Sequence, residues 1–122
     1  MKTLALFLLL AAHHSPAVFD RTREVKLTGT VKEFRWSNPH SFIELDVRDE
    51  KGVTDTWAIE MNPVTYLVKA GWKSTLIKVG DAVTVTINPV RTPEKVGKFV
   101  NITLPNGKVL LDTPPPAPPG GK

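Results

Sequence analysis

The residues best able to do chemistry are the three histidines, and they fall in two places. His13-His14 stand near the start of the chain, and His40 closes the run Trp36-Ser37-Asn38-Pro39-His40. Imidazole is the commonest protein ligand for copper and zinc. Residues 1–12 read as a short secretory signal: Lys2 gives the positive start, Leu4–Leu10 the apolar run, and Ala11-Ala12 the small residues before a cut. That run is too short to span a bilayer. The exported chain is therefore expected to be periplasmic or secreted, with no transmembrane segment once the signal is gone. Cleavage after Ala11 would leave Ala12-His13-His14, whose free amine, two backbone amides and third-position imidazole can wrap a square-planar Cu(II) or Ni(II). Cleavage after Ala12 would make His13 the first residue, so that its amine and ring chelate copper and His14 or His40 completes the site. Cu(II) is accordingly the candidate cofactor, with His13, His14 and His40 as candidate ligands. The plainer reading makes His13-His14 a solvated start and His40 a turn residue that caps or ties strand ends. The lead-in of about ten residues before the first strand could extend roughly 33 Å, and nothing in its sequence says that it folds back toward His40.

The aromatic residues give a second candidate site. Phe42 shares its parity with Glu44 and Asp46, and Phe99 lies on the parity opposite Val100 and Ile102, so both are expected on an outer strand face. There they could form a platform for a small molecule or a protein of the cell envelope. Trp36, Trp57 and Trp72 are expected in the core or capping it, and isolated exposed phenylalanines are also ordinary. Nucleic acid is not expected as a partner. The net charge of +4 is mild and dispersed, and the acidic Glu44 and Asp46 beside Phe42 would repel phosphate. Enzymatic activity is not expected either. The chain has no cysteine, its serines sit in no nucleophile motif, and Glu44, Asp46 and Glu60 read as ordinary outward charges on strands. Its glycines have no phosphate-loop spacing and read as turn formers.

The elements that must position these residues are mostly strands. Residues 24–36 form one long strand that changes face halfway: Val25, Leu27 and Val31 hold one parity, Phe34 and Trp36 the other. Side chains alternate across a strand, so the change requires a bulge or sharp coil, at Gly29 or at Lys32-Glu33. Residues 41–48 and 55–61 alternate cleanly and give strands two and three. Asn62 at the cap position, Pro63 at the first helical position and Gly71 at the stop bracket a short helix over 64–70, with Val64, Leu67 and Val68 on one side. Residues 82–87 and 98–104 give strands four and five, separated by a polar loop at 88–97. Pro105-Asn106-Gly107 is a hairpin turn leading into a short edge strand. The chain thus divides into a signal (1–12), an extended lead-in (13–23), a β domain (24–112) and a Pro/Gly-rich tail (113–122).

Three strands, a helix and two strands is the order of the OB-fold. The expected fold class is all-β: a small five-stranded OB-like barrel with one short helix between strands three and four. An SH3-like barrel and a small open sheet with one helix are the alternatives.

Several short runs, taken together and in order, resemble the DUF6152 family of small exported bacterial proteins without an assigned activity. They are His13-His14-Ser15, Leu27–Val31 (LTGTV), Trp36–His40 (WSNPH), Trp57–Glu60 (WAIE), Ala70–Trp72 (AGW), Val79-Gly80-Asp81 and Thr103–Lys108 (TLPNGK). The resemblance implies export and an OB-like barrel, and it implies no reaction. The expectation for function is an exported binding or accessory module, with copper binding through the histidines set against a metal-free interaction domain of the envelope.

Overall fold

The structure, a computed structural model, describes residues 18–120. Its elements are β1 (Val25–Arg35), β2 (Phe42–Arg48), β3 (Thr54–Glu60), α1 (Val64–Lys69), β4 (Ala82–Pro89), β5 (Val96–Thr103) and β6 (Val109–Leu110). The sheet runs β3-β2-β1-β4-β5-β6, and a further parallel pairing of β3 with β5 closes the first five strands into a barrel. This is the expected all-β barrel of OB-like order, carrying one extra strand. Closure leaves β1 to β5 without an open edge, which lets a small chain enclose a core.

The first strand makes the closure possible. Its early half pairs with β4, from Val25↔Ile87 to Thr30↔Ala82, and its late half pairs with β2, from Thr30↔Asp46 to Arg35↔Phe42. The register with β2 slips between Val31 and Glu33, so Lys32 is the bulge residue. Leu27 and Val31 are buried before it, and Phe34 packs against the same core after it. Gly29 has a different role. A Cβ there would stand 2.1 Å from the Asp46 carbonyl oxygen, so β1 and β2 approach too closely for any side chain.

The barrel interior is filled by Ile43, Leu45, Ile59, Val85, Ile87 and Ile102, none of which is exposed to solvent. Leu67 of α1, with Trp72 and Ile77 of the connector, adds to that core. A second cluster lies apart: Phe19, Ala58, Val90 and Val96, with Val18 and Phe42 against it. Phe19 makes an antiparallel bridge to Val90, so the end of the lead-in is tied to β4 rather than loose.

Several sequence expectations need correction. Asn62 does not cap the helix; Pro63 occupies that position without a side-chain bond, and the Val64 N–H is taken by Asn38 Oδ1 at 3.0 Å. Asn62 is instead committed to Asp112, through its own N–H to Oδ2 and its side-chain amide to the carbonyl. Val68 faces solvent while Leu67 alone of α1 is buried. The expected loop at 88–97 is shorter, because β4 continues to Pro89 and β5 begins at Val96. A second slip, with Thr86↔Asn101 followed by Ile87↔Phe99, passes over Val100 and inverts parity within β5. Gly71 at φ 95° and Gly107 at φ 87° sit at the helix stop and the hairpin turn, as their type predicts.

Candidate functional site

The turn between β1 and β2 holds itself together with side-chain hydrogen bonds. Ser37 Oγ donates to the His40 carbonyl at 2.8 Å, and Ser41 Oγ donates to the Ser37 carbonyl at 3.1 Å. The Met61 N–H binds the Ser41 carbonyl at 2.8 Å and docks the turn on the end of β3. His40 is thereby placed over Met61, and its Nδ1 lies 2.9 Å from the Met61 carbonyl oxygen. A carbonyl only accepts, so Nδ1 carries the hydrogen of that bond and, in the neutral ring, Nε2 carries the lone pair. An imidazole oriented through one nitrogen by a carbonyl is arranged as metal-ligating histidines usually are.

Strand pairing brings two charges to the same corner. Phe42 pairs with Glu60 across β2 and β3, and Glu60 pairs with Lys98 across β3 and β5. The three residues form one row on the outside of the barrel. Glu60 Oε2 lies 3.8 Å from His40 Nδ1 and 3.6 Å from Lys98 Nζ. Its side chain is only 3% exposed, and Oε1 has no hydrogen-bond partner among the described residues. The expectation of an ordinary outward charge at Glu60 is therefore wrong. The parity is outward, but the row around it shields the carboxylate from water.

Asp112 closes the corner from the C-terminal side. Its Oδ2 accepts the Asn62 N–H at 2.9 Å. Burial pushes its carboxyl above the usual value; the Asn62 hydrogen bond and the charge of Lys98 pull the other way and do not prevail. Trp72 Nε1 donates to the Leu111 carbonyl at 2.8 Å and fixes the same segment to the connector.

The expected site residues separate. His40 sits in this corner. His13 and His14 lie outside the described residues. Among the described residues no group of three histidines or carboxylates stands close enough to hold a metal ion, so a metal at His40 needs ligands from elsewhere in the chain. Phe99, expected on an outer face, is a core residue: the slip over Val100 turns it inward, where it is 4% exposed and meets Trp72 edge-on at 5.8 Å. Phe42 is half-buried against the outer cluster rather than presented to solvent. The pair therefore forms no platform. Glu60 and Lys98 were missed because their meeting depends on a parallel pairing between strands distant in sequence, which no local pattern encodes.

A shallow groove of about 310 Å³ lies elsewhere, between Thr28, Thr84, Thr103 and Pro105. It is lined by hydroxyls and aliphatic groups and carries no charge. Among the described residues no helix is long and apolar enough to cross a membrane.

Residues 4–99 match the model of a family described as a family of unknown function, DUF6152. No curated protein and no solved structure matches the chain.

Proposed function

We propose that this chain, which belongs to the DUF6152 family, is an exported copper-binding module of the cell envelope. Its Cu(II) is held by His13 and His14 of the lead-in together with His40. The observation that carries the reading is the course of the lead-in. Phe19 is tied to Val90, and its cluster also receives Phe42, which stands two residues after His40. Three residues separate His14 from Val18, so the four steps between them span at most about 14 Å of extended chain. The lead-in thus ends beside the strand that begins just past His40, and this supports a site that draws on both histidine groups. The fixed tautomer of His40 supports the same reading, because it directs the lone pair to Nε2. Nitrogen donors of this kind suit Cu(II) above other divalent first-row ions.

Exported, tag-free protein, its first residue identified by intact mass, is titrated with Cu(II). Stoichiometric binding is expected, lost in the His13→Ala/His14→Ala double variant and at least tenfold weaker in His40→Ala. Equal affinity in all three proteins would overturn the reading. The metal-free alternative, a domain that binds a partner on its outer aromatic face, has lost one of its two residues to the core.

A further inference from the structure

Single apolar side chains on a protein surface are ordinary, so it is their concentration in one place that points to a partner. Six large apolar side chains are exposed among the described residues, and five of them, Tyr66, Val68, Val79, Val109 and Leu111, belong to two segments. The first is α1 with the connector that follows it; the second is the arm that carries β6. Two hydrogen bonds lay these segments side by side. Trp72 Nε1 donates to the Leu111 carbonyl at 2.8 Å, and the Asn62 N–H donates to Asp112 Oδ2 at 2.9 Å. Their far ends also meet, since Ala82 and Pro105 line one groove. Charge follows the same division. Residues 61–80 and 104–111 contain Lys69, Lys73, Lys78 and Lys108 and no aspartate or glutamate. All four lysines are exposed, and among the described residues none pairs with a carboxylate. The β2–β3 hairpin has the opposite character: residues 44–55 carry five carboxylates against Arg48 and Lys51. Its turn stands at the far end of β3 from α1, about 20 Å away.

We propose that this end of the barrel rests on an anionic lipid surface. Apolar side chains interleaved with lysines, with no carboxylate among them, complement acyl chains capped by anionic headgroups. Tyr66 has the amphipathic ring that settles at headgroup level. The valines and Leu111 enter the boundary, and the lysine stems cover apolar surface while their ammonium groups meet the phosphates. The same arrangement suits a protein partner less well. A protein interface is built around an apolar centre depleted of charge, whereas here the lysines stand among the apolar groups. A fluid surface accepts that mixture without a matching shape. Contact of this kind is interfacial and needs no spanning helix. The acidic β2–β3 hairpin, at the other end of β3, is held away from the negative surface, so the separation of charge also orients the barrel.

The test is flotation of the exported, tag-free protein, its first residue identified by intact mass, with two kinds of vesicle: phosphatidylcholine alone, and an equal mixture of phosphatidylcholine and phosphatidylglycerol. Binding is expected to the mixed vesicles only, and it should weaken as salt is raised. Lys69→Gln/Lys73→Gln should weaken it roughly 25-fold, about fivefold for each lysine. Lys78→Gln/Lys108→Gln, which draws on both segments, should match that loss. Tyr66→Ser/Val68→Ser should cost about tenfold. Lys26→Gln/Lys51→Gln makes the same change in net charge on other faces and should leave binding unchanged. All these positions are exposed, so thermal melts of the variants should coincide with wild type. Equal losses in all three lysine pairs would reduce the effect to net charge and overturn the proposal. Equal binding to both kinds of vesicle, or binding to neither, would overturn it too. Salt-sensitive self-association without vesicle binding, lost in Lys69→Gln/Lys73→Gln, would make the acidic hairpin of a second copy the occupant in place of lipid.

Discussion

Replacing Gly29 by alanine tests how the barrel is closed. The new methyl would stand 2.1 Å from the Asp46 carbonyl oxygen and 2.9 Å from its carbon, both backbone atoms of the paired strand. An ordinary carbon–oxygen contact is roughly 3.3 Å, so β1 and β2 must part by about an ångström where their pairing begins, at Thr30↔Asp46. Overpacking of this kind costs about 1–3 kcal/mol, and each ladder bond weakened adds about 0.5–1.5 kcal/mol. A loss of about 3 kcal/mol is expected, or roughly 12–24 °C in melting temperature for a domain of this size. Gly97→Ala is the matched control. There the nearest obstruction is a side-chain atom, Ile87 Cδ1 at 2.4 Å, and the nearest backbone atom, the Asn88 carbonyl oxygen, is at 3.1 Å, so the strands have less far to part. It should cost about 1 kcal/mol. Urea denaturation checks both, with the midpoint moving and the slope unchanged. A Gly29→Ala protein that melts with the wild type, or a Gly97→Ala protein that is the less stable of the two, would refute the close approach of β1 and β2.

Two other outcomes follow from burial. Asp112 has its folded pKa raised above 3.8 by desolvation, so the folded state holds the proton more tightly than the unfolded chain. The associated stability is present below the unfolded value and is lost as pH rises through the folded one. Asp112→Asn keeps an acceptor for the Asn62 N–H, and should be more stable than wild type at neutral pH, with the gap closing in acid; thermal melts across that range would show it, and a constant gap would argue against it. Phe99→Ala should cost about 3–5 kcal/mol as a core truncation, against about 1–2 kcal/mol for the half-buried Phe42→Ala; denaturant midpoints that reverse this order would return Phe99 to the outer face.

Much of the barrel was legible because its strands alternate in short, well-bounded runs. Ile43, Leu45 and Ile59 are buried where the alternation puts them, and the change of face in β1 called for a bulge at Gly29 or at Lys32-Glu33, of which the second is where the register slips. The slip in β5 was not legible. Val100 and Ile102 suggest uninterrupted alternation, and only pairing with β4 shows that Val100 is passed over and Phe99 turned inward. Asn62 shows a related limit. It sits at the right offset for a cap, but a buried partner fifty residues away, Asp112, takes its hydrogen bonds, and Asn38 serves the helix instead. Of the candidate site, His40 could be named from its residue type and turn position. Glu60 and Lys98 could not, because a carboxylate of outward parity looks solvated until a parallel strand is laid beside it.

The claim that most needs a direct measurement is that His40 completes a copper site with the lead-in histidines. Pulsed electron paramagnetic resonance of the Cu(II)-loaded, exported, tag-free protein counts the imidazoles on the ion. The account predicts that His40→Ala removes one coordinated imidazole from the wild-type count while those of His13 and His14 persist. An identical nitrogen pattern in wild type and His40→Ala would contradict it, and would leave any bound copper on the lead-in alone.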